Sequence, residues 1–258
     1  MICAGIDAGS RSIKAVVFDT DRAQVLSSAI ADQGVEQRRL AAEVFERALQ
    51  QAQLERAQVT RVVATGYGRH AVQFADAVIT EITCHAHGVF HLAPAARTII
   101  EIGGQDSKVI SLDQAGRVRD FAMNDRCAAG TGRFLEMVAM RLGVDWEEFA
   151  ALSKQCTQPA SISNMCAVFA ETEIIGLLAQ GTPVADVVAG VQTAMATRIA
   201  TLAGRCVAPP VFVTGGVAQE TGLVRALGTA LAMPVSVAPQ PQFTGALGAA
   251  ILGCESGR

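Results

Sequence analysis

Two cysteines stand where their thiols could do chemistry. Cys127 comes just before a Gly-Thr-Gly turn, residues 130–132, and apolar residues at helical spacing follow that turn. Cys166 likewise precedes a run, 167–175, with the pattern of a helix. The free N–H groups and the dipole of a helix N-terminus favour a thiolate, the form that binds metal. The two positions therefore fit iron–sulfur ligands, and they fit equally well two small core residues.

The N-terminal stretch DAGSRSIK, residues 7–14, lies between two apolar runs and predicts the tip of a β-hairpin. Gly9 allows a tight turn whose N–H groups can face an anion. Ser10 and Ser12 add donors, Lys14 adds a positive charge, and Asp7 could hold Mg²⁺ through water. An ordinary polar hairpin would have the same residues, so this stretch by itself leaves phosphate binding open.

A second hairpin echoes the first. Its tip is Gly-Gly-Gln-Asp, residues 103–106, again between two strand-like runs. An internal repeat of this kind indicates two hairpin tips that face each other across a cleft and hold a polyphosphate from both sides. Glu101 and Asp106 then lie where a catalytic water or a metal would need a carboxylate.

A glycine turn, TGGV at residues 214–217, follows a buried strand in the second half of the chain. Gly215 and Gly216 would let a flat base or a ribose approach the backbone, although a plain strand-to-helix turn has the same pattern. His85, His87 and His91 are bunched in one run, but no carboxylate stands at ligand spacing beside them. We therefore favour a short helix there over a metal site.

The composition excludes several classes of protein. Half of the 258 residues are hydrophobic, and the formal charge is −3 with no basic stripe, which argues against nucleic acid as a partner. We expect neither a signal peptide nor a membrane span, and a cytoplasmic location. The seven cysteines show no CxxC and no local pairing pattern, so free thiols or metal ligands are expected rather than disulfides.

The order of predicted elements gives an α/β fold. A three-strand meander is followed by helix, strand, helix and strand, which is the ribonuclease-H-like unit, and the pattern then starts again. We expect an N-terminal lobe at 1–94, with the last helix, 244–254, packed back on it. A C-terminal lobe at 95–243 would carry the cysteine loops and the TGGV turn.

Taken together, the motifs resemble those of one protein family. DAGSRSIK, IGGQDSK (102–108), TGGV and GALGAA (245–250) resemble the phosphate, adenosine and connector motifs of the actin, Hsp70 and sugar-kinase ATPases. TGYGR (65–69), NDRCAAGTGRFLE (124–136) and NMCAVFAETE (164–173) make the chain similar to the activator ATPases of 2-hydroxyacyl-CoA dehydratases and the related benzoyl-CoA reductase subunits. The resemblance covers nearly the whole chain.

The resemblance implies a function. Such activators are homodimers that share one [4Fe-4S] cluster, take an electron from ferredoxin or flavodoxin, and use ATP and Mg²⁺ to pass it to a dehydratase-like or benzoyl-CoA reductase-type partner. It also implies roles for residues of this chain. Cys127 and Cys166 would bind the cluster, and the nucleotide would be bound by Ser10, Arg11, Ser12, Ile13, Lys14, Gln105, Asp106, Gly215, Gly216, Val217 and Gln242. The candidate catalytic carboxylates are Asp106, Glu101 and Asp7.

The chain departs from the family at Arg11, where threonine is common, and this arginine would contact phosphate or face solvent. The five other cysteines are expected to be small buried residues: Cys3, Cys84, Cys156, Cys206 and Cys254. Two further interpretations stay open. A small-molecule (sugar) kinase of the same superfamily would use Asp106 as its base, and a non-catalytic nucleotide switch would need only ATP binding.

Overall fold

A computed structural model describes residues 1–163, 166–204 and 207–255. The first of its two five-stranded sheets begins with an antiparallel meander of β1 (Ile2–Ala8), β2 (Ser12–Asp19) and β3 (Gln24–Asp32). β4 (Arg61–Thr65) runs parallel to β1, and β5 (Ala77–Val78) parallel to β4, which gives the order β3-β2-β1-β4-β5. β1 is an almost continuous apolar run, as expected of a strand covered on both faces.

The second sheet repeats this arrangement. β6 (Thr98–Ile102), β7 (Ser107–Leu112) and β8 (Val118–Asn124) form an antiparallel meander. β9 (Val211–Thr214) runs parallel to β6, and β10 (Val235–Val237) parallel to β9, so the order is β10-β9-β6-β7-β8. The two sheets therefore share one topology, which confirms the predicted internal repeat.

Eight α-helices surround the sheets within the described residues. They are α1 (Gln37–Ala52), α2 (Glu81–Leu92), α3 (Gly132–Leu142), α4 (Trp146–Leu152), α5 (Ala167–Ala179), α6 (Val184–Ala203), α7 (Thr221–Leu231) and α8 (Thr244–Glu255). No helix in this part of the chain is long and apolar enough to cross a membrane.

The cores follow the two sheets. α1 packs on the first sheet through Val44, Phe45 and Leu49, whereas α3, α6 and α7 cover the second sheet. α8 lies against the first sheet, where Ala246, Leu247 and Ala250 join a buried cluster on β2. The lobe boundaries at 94 and 95 stay a prediction.

The helices α2 and α8 cross at backbone contact. A Cβ atom on Gly88 would lie 1.9 Å from the carbonyl oxygen of Thr244, and one on Gly248 would lie 1.8 Å from that of Cys84. Only glycine permits this approach, because the other helix offers rigid backbone rather than a flexible side chain. The contact fixes α2, whose first turn enters the cleft between the two sheets.

Candidate functional site

A cavity of about 830 Å³ is lined by residues of both hairpin tips and of the turn after β9. Asp7, at the end of β1, stands opposite Lys14 of β2 in the strand register, and Lys14 Nζ lies 3.3 Å from Asp7 Oδ2. The hairpin turn is closed by a bond from Gly9 N–H to the Ser12 carbonyl, 3.1 Å. This places a carboxylate and an ammonium at the cavity wall, which suits a metal–phosphate group.

The phosphate-loop candidates divide into two groups. Ser10, Ser12 and Lys14 line the cavity. The Ile13 side chain is instead completely buried in the core of the first sheet. At Ile13 only the backbone could therefore contact a nucleotide.

Arg11 lines the same cavity, and two carboxylates also hold its guanidinium. Its Nε donates to Oε1 of Glu136 on α3 at 2.7 Å, and its Nη1 lies 3.1 Å from Asp32 Oδ1. The hydrogen bond to Glu136 raises the pKa of Arg11 and outweighs the opposing effect of burial. Arg11 thus connects the first hairpin tip to α3.

The second hairpin tip holds a buried charge cluster. The sequence predicted its carboxylates Glu101 and Asp106, but not the roles of Lys108 and Glu81. Lys108 on β7 is almost fully buried, and its Nζ lies 2.8 Å from Glu101 Oε2, 2.9 Å from Asp106 Oδ2 and 3.3 Å from Glu81 Oε1. Burial opposes the positive charge, yet the three carboxylates prevail and raise the pKa of Lys108. Burial also raises the pKa of Glu101, against the opposing attraction of Lys108.

The turn after β9 has a backbone conformation that favours glycine. Gly215 has a φ of +91°, and its N–H donates to the Pro241 carbonyl at 2.9 Å. A Cβ there would lie 2.4 Å from the Ile102 carbonyl oxygen, so any larger residue would strain the turn. Gly216, Val217 and Gln242 line the same cavity, together with Gln105.

His85 belongs to a buried hydrogen-bond chain. Its Nδ1 lies 2.9 Å from Thr244 Oγ1, which in turn lies 2.6 Å from Thr214 Oγ1. Burial lowers the pKa of His85 to about 4, so the imidazole is neutral at physiological pH. Among residues 1–163, 166–204 and 207–255, no three His, Cys, Asp or Glu side chains are arranged to hold a metal ion.

The two candidate cluster ligands both sit at the start of helical segments. Cys127 is the N-cap of a short 3-10 turn, 128–130, that leads into α3, and Cys166 is the N-cap of α5. Both thiols are free and partly exposed. One chain offers two such thiols, whereas a [4Fe-4S] cluster takes four. The donor set fits the cluster when a second copy of the chain supplies the other pair.

The expectation of unpaired cysteines was wrong for two of them. Cys3 on β1 and Cys254 on α8 form a disulfide, with their Cα atoms 5.8 Å apart. The pairing was hidden because 251 positions separate the two residues, and only the packing of the last helix on the first strand brings them together. Cys84 is buried as predicted, and burial raises its pKa to about 12. Cys156 is only partly buried, and Cys206 lies outside the described residues.

Comparison with known proteins shows the family to which this chain is similar. The sequence model of the BadF/BadG/BcrA/BcrD ATPase family matches residues 4–253. The activator of lactoyl-CoA dehydratase from Anaerotignum propionicum is 44% identical over 261 residues, which cover 99% of this chain and 98% of that protein. The activator of the 2-hydroxyisocaproyl-CoA dehydratase from Clostridium difficile, solved with bound ADPNP, has a TM-score of 0.93 and 40% identity, covering 99% of this chain and 95% of its own.

A more distant likeness concerns the fold. A ROK family glucokinase from Streptomyces griseus, in complex with glucose and AMPPNP, has a TM-score of 0.60 at 15% identity and covers 99% of this chain and 100% of its own. At that identity the likeness shows a common fold and no common substrate. The predicted actin-like and sugar-kinase-like α/β fold is confirmed.

Proposed function

Because the chain belongs to the BadF/BadG/BcrA/BcrD ATPase family, we propose that it is an ATP-driven one-electron activator. It would act as a homodimer with one [4Fe-4S] cluster, take an electron from ferredoxin or flavodoxin, and pass it to a partner of the 2-hydroxyacyl-CoA dehydratase type. The relatives named as dehydratase activators support that partner class. ATP with Mg²⁺ would be the nucleotide substrate.

The observation that carries the proposal is the path from Cys127 to the nucleotide cavity. Only a short turn separates Cys127 from α3, and the first two residues of α3 bond directly to the second hairpin tip. Gly132 N–H donates to the Gly103 carbonyl, and Arg133 N–H to the Gly104 carbonyl, both at 2.9 Å. A shift of this tip on nucleotide binding would therefore move the helix that follows Cys127.

Arg11 adds a second connection on the same helix. Its bond to Glu136 joins α3 to the first hairpin tip. Both hairpin tips are thus bonded to α3, so a change in the distance between the two tips would act on α3 at two places. This arrangement supports a nucleotide-dependent change at Cys127.

The surface beside Cys166 supports a dimer. α5 begins directly after this cysteine, and its outer side bears Val168 and Phe169, which are 67% and 63% exposed, and the exposed Ile175. An apolar patch next to Cys166 fits a two-fold axis, because an isologous interface doubles every ligand and the two candidate thiols of one chain need two more. When bound, the cluster would supply one-electron redox chemistry. Cys127 and Cys166 would hold it, and the N–H groups that follow them would face its negative charge.

The test compares two cysteine variants prepared without oxygen. Cys127→Ser should lose electron transfer to a dehydratase component while ATP hydrolysis continues, because the nucleotide cavity contains no part of the cysteine. Cys156→Ser is the matched control, since it removes another partly exposed free thiol of the second half. It should keep both activities. A Cys127→Ser protein with wild-type electron transfer would refute the proposal.

A further inference from the structure

Lys108 is a positive charge buried beneath the nucleotide cavity. Its side chain is 1% exposed, and its ammonium is within 3.3 Å of carboxylate oxygens from three different segments: Glu101 of β6, Asp106 of the hairpin tip and Glu81 of the first turn of α2. An ammonium has three N–H donors, so one lysine can satisfy three carboxylates at once. Breaking such a buried ion pair costs far more than breaking a surface one, because it leaves an uncompensated buried charge.

The oxygens that Lys108 does not contact lie beside the nucleotide motifs. Glu101 Oε1 would be 3.3 Å from a Cβ on Gly103 and 2.9 Å from a Cβ on Gly215. Asp106 Oδ1 would be 2.7 Å from a Cβ on Gly103. Lys108 contacts Oε2 and Oδ2, so the second oxygen of Glu101 is turned to Gly103 and Gly215, and that of Asp106 to Gly103.

We propose that Lys108 and Glu81 are positioning residues of the nucleotide site. Lys108 holds one oxygen of Glu101 and one of Asp106, which fixes the other oxygen of each toward the cavity. Glu81 ties the same ammonium to α2, which the Gly88 and Gly248 contacts lock against α8. This inference rests on the proposed ATPase activity and adds to it two residues that do not themselves need to touch the nucleotide.

Charge balance explains why the ammonium is required. The cluster combines three carboxylates with one ammonium, and Asp7 of β1 and His85 of α2 act on its carboxylates electrostatically. His85 is neutral, and Lys14 is 3.3 Å from Asp7. Removal of Lys108 would leave three carboxylates facing one another under an anionic substrate, and they would turn apart or take up a proton.

The experiment measures steady-state hydrolysis of Mg²⁺-ATP by the full chain, well below the melting temperature of each variant. Lys108→Met should lower kcat by about 100-fold, the loss typical when one preorganised electrostatic group is removed. Glu81→Gln, which keeps its shape at a partly exposed position, should lower kcat by about 3-fold. The matched control is Lys154→Met, an exposed lysine that should leave kcat and KM unchanged.

The double variant separates positioning from packing. In Lys108→Met/Glu81→Gln one of the facing carboxylates is gone, so kcat should rise by about 10-fold over Lys108→Met. A lysine that merely fills space would give no such recovery. The inference is overturned if folded Lys108→Met keeps wild-type kcat and KM, or if the double variant is no faster than the single one.

Two further outcomes also decide the question: a Lys108→Met variant that does not fold, and a wild-type chain without ATPase activity. If Lys108→Met does not fold, Glu81→Gln decides alone: a lower kcat at unchanged KM supports positioning, and wild-type kinetics overturn it. If the wild-type chain itself hydrolyses no ATP, the proposed function fails and this inference falls with it. Hydrolysis without electron transfer would count against the activator role only, because the readout here is hydrolysis.

Discussion

The crossing of α2 and α8 makes a strong prediction about stability. A methyl group on Gly248 would lie 1.8 Å from the Cys84 carbonyl oxygen and 2.8 Å from the Gly88 nitrogen, both backbone atoms of α2. The helices would have to separate by more than an ångström to reach an ordinary contact. α8 cannot retreat in the other direction, because a Cβ on Gly5 of β1 would already lie 1.9 Å from the Ala246 carbonyl oxygen.

Gly248→Ala should therefore destabilise the fold despite the better helix propensity of alanine. Overpacking lowers the free energy of unfolding by about 3 kcal/mol or more, whereas the higher helix propensity of alanine raises it by only about 1 kcal/mol. A net loss of about 2 kcal/mol lowers the melting temperature by about 4–8 °C for a chain of this size. Differential scanning calorimetry at one protein concentration measures this shift.

The matched control is Gly228→Ala in α7. A methyl group there would meet only the Met233 carbonyl oxygen, at an ordinary 3.4 Å. This variant should melt at or slightly above the wild-type temperature, because only the helix-propensity gain of about 1 kcal/mol remains. A Gly248→Ala protein as stable as the control would refute the close crossing of the two helices.

Three further predictions concern other contacts. The pKa of His85 is about 4 in the folded chain and 6.5 ordinarily, so its contribution to the free energy of unfolding is complete above pH 6.5 and about 3 kcal/mol of it is lost as the pH falls to 4 and below. His85→Gln should flatten that part of a plot of melting temperature against pH. An unchanged plot would contradict the assignment. Arg11→Ala should change ATP affinity by less than about 3-fold in calorimetric titration, since Glu136 and Asp32 already occupy the guanidinium, and a 10-fold loss would mean that Arg11 binds phosphate. Non-reducing peptide mapping should recover Cys3 joined to Cys254. Reduction should lower the free energy of unfolding by about 5 kcal/mol for so long a loop, and alkylation of both thiols before reduction would contradict the pair.

Local patterns predicted much of this protein. The hairpin tips, the glycine turn and the cysteines before helices are each contained in a few consecutive residues, so turn chemistry and periodicity were sufficient to find them. The repeat of strand–turn–strand also predicted two sheets of one topology, as observed.

The contacts that the sequence did not disclose join distant segments. Lys108 lies within the quoted motif IGGQDSK, but its position in an alternating strand gave no sign that Glu81 of α2 would reach it. The bonds of His85 to Thr244 and of Arg11 to Glu136 span 159 and 125 positions. Such pairs depend on which helices pack together, and a single sequence does not carry that information.

The most direct measurement is the iron and acid-labile sulfide content of the chain after purification without oxygen, with an absorption spectrum before and after dithionite. The proposed function predicts about two iron atoms per chain in a dimer, which corresponds to one four-iron cluster held by Cys127 and Cys166 of each copy. It also predicts bleaching of the visible absorption on reduction. A colourless, iron-free dimer that still hydrolyses ATP would contradict it.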